Sequence, residues 1–458
     1  MPSGERVFTG HKVLLPGREG PIPATIKVST LTGKITDIRQ SHSSQAEHLN
    51  LPESDFIDVG DNVLLPGLVD AHVHLNEPGR TDWEGFRTGT RAAVSGGVTT
   101  VVDMPLNSIP PTTTVNHLEQ KRNAAQGQCW ADVAFWGGVI PGNETDLKSL
   151  IVAGVKGFKC FLIESGVEEF PCVTEKDLHL AMGELQGIST VLCFHAELDT
   201  GSPAAPTSAN PTLYDTFLAS RPQQLEVDAI RLINSLHAKY PSLRLHIVHL
   251  SAASALPLVR AAKSTGLPLT VETCFHYLTL TSEHIPNGHP EFKCCPPVRE
   301  GVNREELWKA LEDGTIDCVV SDHSPCVASL KNLDTGDIMG AWGGISTLGL
   351  GLSLLWTEGR KRGVSLSKIV QWTSVATAKH ASLHDRKGAI QVGYDADLIV
   401  WDPEAEVKVT KESFNFKNKV SPYEGLTLTG RVEQTYLRGQ LVYDQEKGFS
   451  QKAVGQLL

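Results

Sequence analysis

The sequence predicts an α/β fold: a (β/α)8 TIM-like barrel with a small β-sandwich domain formed from both chain ends. Three observations predict it. Eight apolar runs alternate with segments of helical spacing through the middle of the chain. The two ends carry short alternating β-rich pieces instead. Ionisable side chains sit at the ends of several apolar runs, where a barrel would gather them at one mouth.

The N-terminal pieces RVFTGHKVLL, ATIKVST and KITDIRQ alternate with polar turns, and IQVGYDADLIVWDP and VEQTYLRGQLVYD repeat that texture near the C-terminus. Period-two alternation with Gly and Asp turns argues antiparallel strands. The two segments are assigned to one composite β-sandwich domain, residues 1–64 and 390–458, with two separate β caps as the alternative. The barrel is assigned to residues 65–389. Its strands are VLLPGLVDAHVH, VTTVVDMP, DVAFWGGVIP, VKGFKCFL, TVLCFHAE, LRLHIVHLS, LTVETCFHYL and IDCVVSDHSP. Segments such as WEGFRTGTRAAVSGG and EVDAIRLINSLHAKY have helical spacing. Apolar strands alternating with helices indicate a parallel sheet covered on its faces. Periodicity alone leaves a doubly wound open sheet as the alternative.

Composition narrows the function. Of 458 residues, 40% are hydrophobic and 20% charged, as in ordinary globular proteins. The net charge of −11 argues against nucleic acid or an anionic membrane as a partner. No apolar run approaches the length of a membrane span, and MPSGERVFTGHKVLL lacks a signal-peptide pattern, so a cytoplasmic location is expected. Nine scattered cysteines read as small buried hydrophobes in a reducing compartment. Cys294 and Cys295 are adjacent, which is the wrong spacing for a zinc knuckle.

The first apolar run ends in His72 and His74, the fourth carries Lys159, the fifth His195 and the sixth His249. The eighth ends at Asp322 and His323. Ending a hydrophobic strand in an ionisable group is costly, so five such ends form a pattern. His72 and His74 leave one face of a strand, as two nitrogens converging on a metal would; the bland alternative is a pair of satisfied core histidines. His246 would point to the opposite side from His249 and reads as structural. Lys159 is either a snorkelling cation or an amine that burial keeps neutral and able to take up carbon dioxide as a carbamate. Asp322 is either a loop carboxylate or one that touches a metal and a reacting proton. Imidazole and carboxylate ligands suit zinc. Two zinc ions sharing the set, with a hydroxide as nucleophile, would hydrolyse a polarised carbonyl.

These residues resemble the cyclic amidohydrolases of the amidohydrolase superfamily nearly end to end. VDAHVHLNEPGRTDWEGF is similar to the family's first metal motif, and GFKCFLIESGVEEFP to the stretch around its carboxylated lysine. CFHAE and HIVHLS resemble the third and fourth metal motifs, and GYDADLIVWDP the return into the small β-sandwich. KCCPPVRE, SDHSPC and AWGGIS are similar to the allantoinase branch in particular. The resemblance implies that His72, His74 and Asp322 hold one zinc ion and His195 and His249 the other. Carboxylated Lys159 would bridge them. Asp322 would be the catalytic base and then acid. The implied reaction opens the allantoin ring to allantoate in purine breakdown, a pathway that leaves peroxisome or mitochondrion as alternatives to the cytoplasm, and the implied assembly is a homotetramer.

Two departures from sister enzymes bear on the substrate. Asn76 stands where dihydroorotase-like sequences carry Arg, and Glu164 where dihydropyrimidinase-like sequences carry Tyr. With Asn76, Cys294 and Trp342 are expected substrate contacts, each weighed against plain packing. His276 is expected to be a satisfied core histidine, and His323 to orient Asp322. His380 and His384 are placed outside the site, and the acidic run GVEEF at a loop edge or in a lid. A dihydropyrimidinase or hydantoinase acting on related rings is the chemical alternative. A non-catalytic dihydropyrimidinase-like scaffold is the other, and the six competent ligand positions argue against it.

Overall fold

A computed structural model describes residues 4–48, 51–201 and 210–458. Residues 1–3 and 49–50 of the expected N-terminal β segment lie outside these. Eight parallel barrel strands follow in chain order: Leu68–Val73, Val98–Asp103, Asp132–Phe135, Phe158–Phe161, Val191–His195, Arg244–Ile247, Leu269–Cys274 and Cys318–Val320. The third strand continues through Trp136 into Gly137–Gly138, which pairs with the fourth. The ring closes where Val73 bridges His323 and the His74 N–H donates to the His323 carbonyl at 2.8 Å. All eight strands are buried almost throughout, which is why they read as apolar runs and not as alternating ones.

The first apolar run is two strands, not one. Val63–Pro66 pairs antiparallel with Leu398–Lys408 in the sheet made from the chain ends, and only Leu68–Val73 enters the barrel. The break falls at Gly67. A Cβ there would lie 2.1 Å from the Thr99 hydroxyl, so no side chain fits where the chain passes from one layer to the other.

The strands of the two ends form one nine-stranded sheet. Phe8, on Glu5–Val13, meets the ring of Tyr436, on Thr427–Leu437, edge to face at 4.8 Å. Their strands are three places apart, which in a flat sheet would separate them by about 14 Å. The sheet therefore curls over its own core of Phe8, Ile26, Val28, Leu64, Leu398 and Tyr436. Not all of the C-terminal segment belongs to this layer. Phe414, Phe416 and Tyr423 pack into the barrel core, and the Lys417 N–H reaches Glu84 near the barrel mouth. The last residues return to the third strand, where the Val133 N–H donates to the Gln456 carbonyl at 2.8 Å.

A buried ion cluster holds the layers together. The Lys387 ammonium contacts Asp132 at 2.5 Å, Asp397 at 2.6 Å and Asp395 at 3.0 Å, and Arg438 adds a second cation to Asp132 at 2.6 Å. Asp132 begins a barrel strand, while Asp395 and Asp397 lead into the sheet. Removing one member of a buried ionic group leaves its partners charged and unpaired, so Lys387→Met is expected to destabilise the protein by about 3–5 kcal/mol, read from denaturant midpoints. Burial raises the Asp395 carboxyl, but Lys387, Lys34 and Arg386 outweigh it and hold it at about 2. The unfolded value is about 3.9, so the stabilisation from Asp395 is present above that pH and is lost as pH falls toward 2. In melts between pH 6 and pH 3, the gap in thermal midpoint between the wild type and Asp395→Asn should narrow on the acid side.

Candidate active site

All six ionisable residues expected to meet do line one cavity of about 650 Å³ at the C-terminal ends of the strands: His72, His74, Lys159, His195, His249 and Asp322. Two of them sit in strained backbone. His249 has φ of 38° and Asp322 φ of 43°, a region that non-glycine residues rarely adopt and that clusters at functional sites. His249 lies beyond the end of its strand, so strand alternation does not govern which way it faces.

Carboxylates fix the tautomers. His72 Nδ1 lies 2.5 Å from Glu272 Oε1, and His246 Nε2 lies 3.1 Å from Glu272 Oε2. His195 Nε2 lies 2.7 Å from Glu197 Oε2, which also takes Arg221 at 2.5 Å. An ionised carboxylate only accepts, so His72 carries its proton on Nδ1 and His195 on Nε2. Burial raises the Glu272 carboxyl, but His72 and His246 outweigh it and hold it well below the usual range. A bare lone pair on His72 Nε2 and on His195 Nδ1 then faces inward. His72 Nε2 lies 3.2 Å from Asp322 Oδ1, and His74 Nε2 3.4 Å from the same oxygen. His195 Nδ1 and His249 Nε2 are 3.0 Å apart.

Burial lowers the pKa of His195 despite Glu197, and burial together with Lys159 puts His249 well below its ordinary value. Burial raises Asp322, yet His72 and His74 hold it at about 2, so it is a carboxylate at neutral pH. Lone-pair atoms crowded this closely need a proton or a cation between them. Ligand atoms of His72, His249 and Asp322 all fall within 4.8 Å of one another. The nitrogen and oxygen donors fit a borderline divalent cation such as zinc.

Lys159 is 1% exposed and does not snorkel. Its Nζ sits 5.0 Å from the Phe161 ring centroid, and that ring stacks on His195 at 4.5 Å. Among the described residues its Nζ makes no hydrogen bond or ion pair. Burial lowers its pKa, opposed by Asp322 and Glu272.

The expected substrate contacts divide. Cys294, Trp342 and Glu164 line the cavity. Asn76 does not. It turns the chain with φ of 64° and donates from Nδ2 to the Pro325 carbonyl at 3.2 Å, so its side chain is used in holding the loop. His246 departs from the expected opposite side: it shares Glu272 with His72 and stacks on His380 at 3.7 Å, which brings His380 beneath the site as well. His276 is buried, but it is not satisfied, since neither ring nitrogen has a partner among the described residues, and burial lowers it to about 4. His323 does not touch the Asp322 carboxylate. Its Nδ1 accepts from the Thr347 and Leu348 N–H groups at 3.1 and 3.2 Å, and its Nε2 faces Glu84 at 3.2 Å. It thereby pins the backbone beside Asp322. In the acidic run, Glu169 pairs with Arg80 and Phe170 is buried, so the run is a tethered loop edge.

Sequence reasoning missed Glu272, Glu197 and Asn107, whose amide lies 3.4 Å from His74 Nδ1. Glu272 left a signal: it is a lone carboxylate inside the apolar strand LTVETC.

Residues 63–442 match the Amidohydrolase family. The chain is 49% identical to an allantoinase of Saccharomyces cerevisiae, with 98% of each chain covered, and 49% identical to one of Streptomyces avermitilis, with 96% of each covered. Among solved structures, the L-hydantoinase (dihydropyrimidinase) from Arthrobacter aurescens superposes with a TM-score of 0.91 at 29% identity, covering 98% of this chain and 99% of that one. The chain belongs to the amidohydrolase family and, within it, to the allantoinase branch.

Proposed function

We propose that the protein hydrolyses the cyclic amide bond of allantoin to give allantoate, using two zinc ions bridged by carboxylated Lys159. The observation that carries the metal chemistry is the convergence of nitrogen and oxygen ligand atoms: His195 Nδ1 and His249 Nε2 at 3.0 Å, with His72 and His74 facing Asp322. The allantoin reading is supported by the identity to allantoinases over nearly the whole chain. In this reading His72, His74 and Asp322 would hold one cation and His195 and His249 the other. When bound, the cations would polarise the ring carbonyl and make water a stronger nucleophile near neutral pH.

The residues themselves do the rest. Glu272 and Glu197 hold the His72 and His195 rings in the tautomers that leave their inward nitrogens free. A neutral Lys159 amine adds carbon dioxide, with loss of one proton, to give an anion that relieves the buried and unpaired Nζ. Asp322, ionised at neutral pH, accepts a proton from the attacking water and returns it to the departing ring nitrogen. Trp342 and Cys294 form the cavity wall against which the ring is held. The same reading includes a homotetramer, which light scattering would report as four times the 49.6 kDa chain mass. It also includes a cytoplasmic location, supported by nine cysteines that are all free.

The fold likeness to hydantoinases makes substrate choice the decisive test. Assayed against allantoin, hydantoin, dihydrouracil and dihydroorotate, the metal-loaded protein should turn over allantoin with the highest kcat/KM. Dihydrouracil or hydantoin as the best substrate would overturn the reading. Removing metal with a chelator should abolish turnover, and zinc with bicarbonate should restore it. Glu272→Gln should weaken metal retention by roughly 10–100-fold, measured by competition with a chelating dye. Asp322→Asn should lower kcat by roughly 10²–10⁴-fold.

A further inference from the structure

The wall that carries Trp342 is a loop with little conformation of its own. Gly340, Gly343 and Gly344 make up three of the five residues in GAWGG. Such a segment costs much entropy to order, so its shape must be imposed from outside. Two buried lysines impose it. Lys293 Nζ donates to the Met339 and Ala341 carbonyls, both at 2.7 Å. Lys331 Nζ donates to the Trp342 carbonyl at 3.0 Å and to the Gly344 carbonyl. The Lys293 carbonyl in turn accepts the Gly344 N–H at 2.8 Å.

Neither ammonium has a carboxylate partner among the described residues, although Lys293 is 8% and Lys331 3% exposed. Burying two cations without counter-charge is costly, and neutral donors would tie down a loop that served only as packing. The grip does not reach one point: Gly343, on the cavity wall between the held carbonyls, makes no hydrogen bond among the described residues. Trp342 is half-buried, packs edge-on against Trp83 at 4.9 Å, and leaves its indole N–H without a partner among the described residues. The clamp therefore fixes the loop and, among the described residues, leaves the Gly343 peptide and the Trp342 indole N–H unspent.

We propose that Lys293 and Lys331 are positioning residues: by gripping four carbonyls of the 339–344 loop they set the place of Trp342 and thereby the enzyme's hold on its cyclic ureide substrate. The proposal rests on the hydrolytic reading above for its kinetic test, and an optical test is independent of it. Lys331→Met should raise KM for allantoin by about tenfold while kcat changes less than about threefold, since a binding wall is loosened and the proton-transfer groups are untouched. Lys331→Arg, which keeps a cation able to donate, should recover part of the loss.

The optical readout is acrylamide quenching of Trp342, taken as the difference between each enzyme and its Trp342→Phe counterpart. Quenching should increase in Lys331→Met and fall back in Lys331→Arg. Should Lys331→Met not accumulate as folded protein, Lys293→Met releases the Met339 and Ala341 carbonyls and decides the question by the same two measurements. A folded lysine-to-methionine variant with wild-type KM and wild-type quenching would overturn the proposal, and so would a loss confined to kcat. A wild type that ignores allantoin, beside variants whose Trp342 quenching rises, would sink the substrate reading and leave the clamp standing.

Discussion

Glu272 is the carboxylate on which the centre of the molecule turns. It receives the His72 ring on one oxygen and the His246 ring on the other, and the His249 N–H lies 3.3 Å from the first oxygen. Three strands are thus keyed to one buried anion. A carboxylate taken out of water tolerates this only with full hydrogen bonding, and here donors on both oxygens supply it. Without that anion the His72 ring has no reason to turn Nε2 rather than Nδ1 inward. The inward lone pairs, and hence the affinity for a cation, follow from a side chain that is not itself part of the donor set.

Much of this arrangement was legible in the sequence, because its signals were violations of composition. His72, His74, Lys159, His195, His249 and Asp322 interrupt apolar strands, and a barrel has only one mouth in which such interruptions can meet. The supporting carboxylates were harder to read. Glu197 follows His195 by two residues and looks like any other strand-end acid, while Glu272 stands inside an apolar strand and its role is plain only once His72 and His246 are known as its partners. Asn76 shows the opposite failure. Its position beside the histidines suggested a substrate contact, but a positive φ and a bond to Pro325 commit it to the turn.

The fold departs from its sequence pattern where the backbone does something local. The run 63–69 is apolar throughout, yet Pro66 and Gly67 divide it between two sheets, and the Thr99 side chain occupies the space a Cβ at Gly67 would need. His246 defeats an alternation argument because the strand stops at Ile247, before His249. Periodicity describes residues inside a regular strand; it says nothing about the first residue after the strand, and that is where a barrel keeps its chemistry.

The two ends of the barrel solve opposite electrostatic problems with the same currency of buried charge. At the seam with the terminal sheet, Lys387 and Arg438 stand among Asp132, Asp395 and Asp397, so each ion has its counter-ion in the protein. At the mouth the balance is left open. Among the described residues, Lys159, Lys293 and Lys331 are buried without carboxylates in hydrogen-bond contact, and two imidazole nitrogens face a carboxylate oxygen across little more than 3 Å. A closed network resists change; an open one is completed by what binds. The seam therefore keeps the layers together, and the mouth holds in reserve the interactions that cations and a ureide ring would satisfy.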